Sequence, residues 1–404
     1  MKLSEELAWR GFVQDTTIAD LKYLDEKKLT FYHGFDASAD SQTVGNLAAM
    51  MLDKLFIKHG HKAVLLAGGA TSLIGDPGGK DKERPLQDEK TVASNVAKAK
   101  SQIEKIFSGQ DFKLVNNLDW FKDIRLLDFL RDTGKHFSMT PLVQRDYIAK
   151  RIGEGGAGIT YTEFSYTLLQ GYDFLKLYKD HGVTLQLAGS DQWGNSLSGV
   201  DLVRRVEGKE VHVITMPLII NKSTGVKFGK SEDGAIWLDE QKTSPYKFYQ
   251  FWLNVDDQGV EDYLKIYTEL DKAEIDKIIT EFSKDKSSRI AQKRLAEEVT
   301  KIVHGEQRAN SVRKVTEVLF GDNSNINQLD QDEINLLAKE IPEISFGTLS
   351  DRLVEKELLD SKGEFRRLLE SGAVSINGQK IGEDVEIKEV SLIKKGKNTF
   401  ILVR

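Results

Sequence analysis

The feature that most limits how this chain can fold is an alternation of period. Across the first half, short apolar runs of strand character take turns with longer segments of helical spacing. Residues 28–35 (KLTFYHGF) read as a strand, 47–59 as a helix, and 63–67 (AVLLA) as a buried strand that ends on Gly68-Gly69. Strand, helix and strand in so short a stretch make a βαβ unit, with a right-handed crossover expected. Helices are predicted at 89–107 and 162–179, and further strands at 183–187 and 211–215. Parallel strands with interleaved helices imply an α/β fold, a Rossmann-like doubly wound domain spanning residues 1–220.

A length of 404 residues leaves room for more than this one domain. Residues 221–243 form a polar connector, and 244–320 read as a helical domain with Pro245 near a helix start. Residues 321–344 open on the turn-rich GDNSNIN and are expected to be a linker. Residues 345–404 read as a small α+β domain, with 11 basic against 10 acidic residues from Gly347 onward. The whole chain carries 57 Lys and Arg against 63 Asp and Glu, which excludes a polybasic nucleic-acid coat but not a local basic face. Cysteine is absent, so disulfides, thiolate metal sites and a cysteine nucleophile are excluded. The histidines show no H-E-x-x-H spacing, and no protein-held metal is expected. No apolar run approaches the roughly 20 residues of a membrane helix. The opening MKLSEELAWRG lacks the apolar core of a signal peptide, so a cytoplasmic location is expected.

Three clusters are candidates for chemistry. The first is FDASADSQTVGN, between the first strand and its helix, where open α/β sheets bind ligands. Asp36, Ser38, Thr43 and Asn46 gather polar groups at a helix N-terminus suited to phosphate, and Gly45 admits a flat base. Ordinary helix capping explains the same residues. The second is Lys227-Phe228-Gly229-Lys230-Ser231, where two lysines around a glycine can fold over a polyphosphate. A solvated hairpin tip is the plainer reading. The third is the strip Tyr166, Gln170 and Asp173, spaced i, i+4, i+7 along one helix face. On its own it is equally the wet side of an amphipathic helix. Asp76, in the glycine-rich GGATSLIGDPGGK, and Asp191-Gln192, after the 183–187 strand, face the same crevice. Lys80 and Arg84 sit in a charged loop (GGKDKER).

The first two clusters resemble the HIGH-type and KMSKS-type signatures of class I aminoacyl-tRNA synthetases. The text between them resembles the bacterial-type tyrosyl-tRNA synthetases over nearly the whole chain, through GGATSLIGDPGGKDKER, LVNNLDW, TEFSYTLLQGYDF, LQLAGSDQWGN, KFGKSEDGAIWLD and TSPYKFYQFW. One departure stands out. Thr43 and Asn46 occupy the positions where the family usually has histidines, in a T-x-G-N form similar to that of the tryptophanyl enzymes.

The resemblance implies a two-step, ATP-dependent attachment of tyrosine to its tRNA through tyrosyl-adenylate. Tyr32 and Asp173 would hold the phenol. Asp76, Tyr166 and Gln170 would hold the α-ammonium, with Gln192 and Thr71 nearby and Asn117 and Trp120 in the pocket wall. Asp36, Gly45, Asn46, Gly189, Asp191, Lys230 and Ser231 would contact the nucleotide. Ser38, Thr43, Lys80, Arg84, Lys227 and Lys230 would stabilise the leaving pyrophosphate, and Mg2+ would arrive with ATP. The helical domain would touch the anticodon arm. The tail would be an S4-like RNA-binding domain using Arg366, Arg367 and Lys380. The family is a homodimer built through the catalytic domain, with the apolar stretch 127–142 as a candidate surface. A catalytically inactive paralogue that only binds RNA is the alternative expectation, and a tryptophan-activating enzyme is another.

Overall fold

The structure is a computed structural model that describes residues 1–77, 85–231, 234–321 and 325–404. The chain forms two compact units, one of residues 1–243 and 255–295, the other of residues 244–254 and 296–404.

The first unit is built on a six-stranded sheet in the order β1-β6-β5-β2-β3-β4. Its strands are β1 (Asp15–Thr16), β2 (Thr30–Asp36), β3 (Lys62–Gly68), β4 (Phe112–Asn116), β5 (Val183–Gly189) and β6 (His212–Met216). β2 to β6 run parallel, and only β1 is antiparallel, paired at the edge with β6. β3 reads as a continuous apolar run because it is buried on both faces. β1 is too short to show any period, and β4 (FKLVN) is only half buried, so neither stands out as a strand in the sequence.

Helices Val44–Lys58, Glu89–Ile106, Tyr161–His181 and Trp193–Glu207 supply the crossovers. The first three start within three residues of their expected places, whereas Trp193–Glu207, with no side-chain cap at Gln192, is not among those expected. Thr160 opens the Tyr161–His181 helix with a capping box on Glu163, and left-handed Gly182 ends it. The strand order reverses at β2: β3 and β4 lie on one side, β5 and β6 on the other. That is the switch point where the crossovers diverge and leave a crevice beyond the strands' carboxyl ends.

The segment 255–295 belongs to this first unit. Arg10 ties it in, donating to the carbonyls of Thr268 at 3.0 Å and Leu270 at 2.8 Å while paired with buried Glu6 at 2.9 Å.

In the second unit, helix Pro245–Leu253 begins at Ser244, whose Oγ accepts from the Lys247 N–H. It packs beside helix Glu306–Phe320, with Gln250 donating to Thr316 at 2.9 Å. The stretch expected as a linker carries helix Gln331–Leu337, closed by an Asp330–Glu333 capping box and burying Ile334, Leu336 and Leu337. The tail then forms a five-stranded sheet with helices Leu349–Glu355 and Lys362–Glu370, around Leu349, Leu353, Phe365, Ile393 and Ile401. Its tightest hairpin turns at Asn377-Gly378, both at positive φ, as a two-residue type I′ turn requires.

Among the described residues no helix is long and apolar enough to cross a membrane.

Candidate functional site

The crevice beyond β2 and β5 is a cleft of about 420 Å³, lined entirely by the first unit. At its inner end Tyr32 of β2 is 1% exposed, its ring edge-on to Phe174 at 5.1 Å. Its hydroxyl is buried and has no hydrogen-bond partner among the described residues. Asp173 of the Tyr161–His181 helix is also 1% exposed. Two donors hold its carboxylate, Asn117 Nδ2 at 3.1 Å and Trp120 Nε1 at 3.0 Å. Burial pushes the Asp173 carboxyl up to about 7, with those two hydrogen bonds opposing the rise. Burial, and then the charge of Asp173, push the Tyr32 phenol well above its usual range.

The strip Tyr166, Gln170 and Asp173 is therefore not a wet face. Tyr166 and Asp173 are buried, Gln170 is half-buried, and all three line the cleft. The other side of the helix, through Leu168 and Leu175, is buried as well. Midway along the cleft, Asp76 follows the glycine-rich turn after β3 and accepts from Gln192 Nε2 at 2.6 Å.

At the outer end the chain leaves β2 and enters the Val44–Lys58 helix. Asn46 caps that helix from within: its Oδ1 accepts from the Thr43 N–H at 3.0 Å and the Thr43 hydroxyl at 2.9 Å. The Asn46 NH2 has no partner among the described residues. Capping and ligand binding are thus compatible here, since the cap consumes the carboxamide oxygen and leaves its donors. Gly45 has no positive φ, and a Cβ there would make only an ordinary contact with Thr43 Oγ1 at 3.5 Å. Neither the backbone conformation nor the neighbouring protein atoms demand a glycine at this position.

The two nucleotide-type motifs come together in space. Val44 N–H donates to Ile236 O at 3.1 Å, Leu238 N–H to Gln42 O at 2.9 Å, and Thr43 bridges Trp237 antiparallel. Strands β7 (Lys230–Ser231) and β8 (Gly234–Ala235) pair just before this seam. Gly229 sits at φ 90°, and a Cβ on it would lie 2.4 Å from Val44 Cγ2, so only glycine lets the KFGKS loop close on the helix start. Phe228 stacks on Tyr263 at 4.3 Å and anchors the loop's base.

This geometry has relatives. Residues 24–321 match the family model of class I tRNA synthetases (W and Y). The chain is 42% identical to a tyrosine–tRNA ligase of Bacteroides fragilis, covering 100% of this chain and 99% of that one. It is 42% identical to a tyrosine–tRNA ligase of Geobacillus kaustophilus, with 100% of both covered.

The chain belongs to the bacterial-type tyrosyl-tRNA synthetases.

Among solved structures, a truncated mitochondrial tyrosyl-tRNA synthetase of Aspergillus nidulans matches with a TM-score of 0.72 and 32% identity, over 79% of this chain and 94% of that one.

Of the residues expected at a synthetase site, the cleft brings together Tyr32, Asp36, Ser38, Thr43, Gly45, Asn46, Thr71, Asp76, Tyr166, Gln170, Asp173, Gly189, Asp191, Gln192 and Lys227. Asn117 stands behind the wall: fully buried, it donates to Thr71 Oγ1 and Asp173 and accepts from the Ala70 N–H. Lys80 and Arg84 lie outside the described residues, as do the side chains of Lys230 and Ser231. Arg366, Arg367 and Lys380 are exposed on the second unit.

The sequence reading passed over two further residues of the cleft lining. Gln186 of β5 is buried with Oε1 unpartnered among the described residues, and His33 of β2 is buried with Nδ1 2.8 Å from Asp53. Each had a signal, a polar residue inside an apolar run (LQLAG, and LAAMMLDKLF for Asp53). No motif drew attention to them.

Proposed function

We propose that the cleft activates tyrosine: the phenol binds at Tyr32 and Asp173, and ATP lies across the start of the Val44–Lys58 helix under the KFGKS loop. The activity is ATP-dependent attachment of tyrosine to tRNA, as in the ligases the chain matches over its full length. The observation that carries the site reading is the buried, partnerless Tyr32 hydroxyl in a pocket that also holds the buried Asp173 carboxylate. A phenolic O–H donates to the carboxylate and accepts from the tyrosine hydroxyl, satisfying both. Phenylalanine leaves the Tyr32 hydroxyl unpaired and the Asp173 carboxylate with only its Asn117 and Trp120 donors, at a cost of about 1–3 kcal/mol for the orphaned hydroxyl.

The tyrosine carboxylate, already ionised at neutral pH, attacks the α-phosphate of ATP. The P–O bond to pyrophosphate breaks, and tyrosyl-adenylate forms without a general base. Donors and cations aimed at the departing phosphates supply the catalysis: the Asn46 amide, oriented by the Thr43 N–H and hydroxyl, with Ser38, Lys227 and, by resemblance, Lys80, Arg84 and Lys230. The tRNA terminal hydroxyl then takes the tyrosyl group. Magnesium would arrive as part of the ATP substrate.

The second unit would hold the tRNA, the helical part against the anticodon arm and the S4-like tail through exposed Arg366, Arg367 and Lys380. In the expected interface stretch, Leu142 is buried while Leu127, Leu130 and Met139 are exposed, and neighbouring Leu126 is exposed with them. That exposed subset favours a homodimer through the first unit. The inactive-paralogue reading finds no support in relatives that are ligases along their whole length.

ATP–pyrophosphate exchange with tyrosine, phenylalanine and tryptophan side by side tests the reading. Exchange with tyrosine alone is expected. Equal exchange with phenylalanine would remove the phenol-reading role of Tyr32 and Asp173.

A further inference from the structure

Arg145 lies outside the cleft, just before helix Asp146–Ile152, yet its guanidinium is committed to four acceptors. Nη1 donates to Asn195 Oδ1 and to Thr167 Oγ1, each at 3.0 Å. Nη2 donates to Gly194 O at 2.7 Å and Ser198 Oγ at 2.5 Å. Thr167, having accepted from Arg145, passes its own proton to Asn195 Oδ1 at 2.9 Å. The carboxamide oxygen of Asn195 thus accepts twice, and its other half can only donate. It does so to Gln192 Oε1 at 3.2 Å. Gln192, its oxygen occupied, turns its NH2 to Asp76 Oδ2 at 2.6 Å.

The direction of this chain follows from Arg145. A guanidinium is a donor only and cannot lose its proton in a protein, so the amide facing it must present oxygen. Turning Asn195 by half a rotation sets its NH2 against the Arg145 and Thr167 donors and its oxygen against Gln192 Oε1. Turning Gln192 sets its NH2 against that of Asn195 and its oxygen against the Asp76 carboxylate. The packing is specific as well. A Cβ at position 194 would approach Arg145 Nε to 3.3 Å, and Asn195 is 4% exposed. The last two letters of GSDQWGN thereby gain a reason: the glycine makes room for Arg145 and the asparagine relays its polarity.

We infer that Arg145 is a positioning residue for recognition of the amino acid's ammonium group, acting through Asn195 and Gln192 to fix the Asp76 carboxylate in the cleft. The inference rests on the reading of Asp76 as the ammonium's partner. With the chain's polarity intact, Gln192 steadies Asp76 as a donor. With it reversed, the Gln192 oxygen repels the carboxylate from its place.

The test uses Asn195→Asp, nearly the same shape but unable to donate to Gln192, and Arg145→Lys, which keeps the charge but cannot span four acceptors. The full-length protein is titrated with tyrosinol and with its deaminated analogue, which differ by the ammonium alone. Both variants are expected to weaken tyrosinol by about 10–100-fold while changing the analogue and the KM for ATP by no more than about twofold. Equal losses for both compounds, or no loss for either, overturn the relay. Asp76→Asn, measured alongside, separates two failures. If it keeps the preference for tyrosinol, the ammonium assignment falls and the relay with it. If it removes that preference while Asn195→Asp and Arg145→Lys retain it, only the relay falls.

Discussion

Burial lifts the Asp173 carboxyl to about 7, although Asn117 and Trp120 both donate to its ionised form. The folded ligand-free protein therefore binds this proton more tightly than the unfolded chain. The stabilisation that comes with it is complete below about pH 3.8 and is lost as pH rises through about 7. In the proposed complex the bound phenol would reverse the balance by donating to the carboxylate, so tyrosine affinity should climb between about pH 5 and pH 8. Calorimetric titration across that window should show the climb in the parent protein and none in Asp173→Asn. A flat parent profile would mean that Asp173 does not change charge on binding. At the other end of the cleft, Thr43 and Asn46 share one hydrogen-bond system, with the Asn46 oxygen held and its NH2 left available. Thr43→Ala is expected to slow pyrophosphate exchange by about 10–10³-fold with tyrosine affinity nearly unchanged. Unaltered exchange would reduce Thr43 to a cap.

At the scale of elements, the decisive contact is the seam that lays residues 236–238 against 42–44. Neither motif announces it, because the two lie far apart in sequence and their pairing is set by the tertiary fold. The local signals are clear where burial is strong: β2, β3, β5 and β6 lie within a few residues of their apolar runs. Asp88 and Thr160 cap the Glu89–Ile106 and Tyr161–His181 helices, whereas helix Trp193–Glu207 starts without a side-chain cap and is not among those expected. The misses have physical causes. β1 has two residues and no period, and β4 is only half buried. Helix Gln331–Leu337 hid inside a turn-rich stretch although Asp330 and Glu333 spell out its capping box. Within the site, the cleft-facing strip was legible as spacing but not as burial, and periodicity alone cannot say whether a polar face meets water or a ligand. The seam makes a sharp prediction. Gly229→Ala forces a Cβ to 2.4 Å from Val44 at a positive φ, pushing the loop off the helix start. Pyrophosphate exchange should fall by about 10²-fold while tyrosine binding, at the far end of the cleft, holds. Parallel losses of both would show that the glycine serves the unit's stability instead.

For the whole molecule, the sheet's switch point and the seam give the first unit one cleft with two chemically different ends. The same unit leaves Leu126 and Leu127 about seven-tenths exposed, with Leu130 and Met139 also open to solvent. These are the apolar side chains that the proposed dimer would cover. Leu127→Glu is expected to move the protein from dimer to monomer in sedimentation velocity without lowering its melting temperature. A parent protein that already sediments as a monomer would rule out the proposed dimer. The account as a whole turns on where a tyrosine lies in the cleft, and a crystal structure with tyrosine and a non-hydrolysable ATP analogue measures that directly. The phenolic oxygen should lie within about 3 Å of both the Tyr32 hydroxyl and the Asp173 carboxylate, with the triphosphate at the Thr43–Asn46 helix start. A phenolic oxygen beyond hydrogen-bond reach of Asp173, or phosphates away from that helix start, would contradict it.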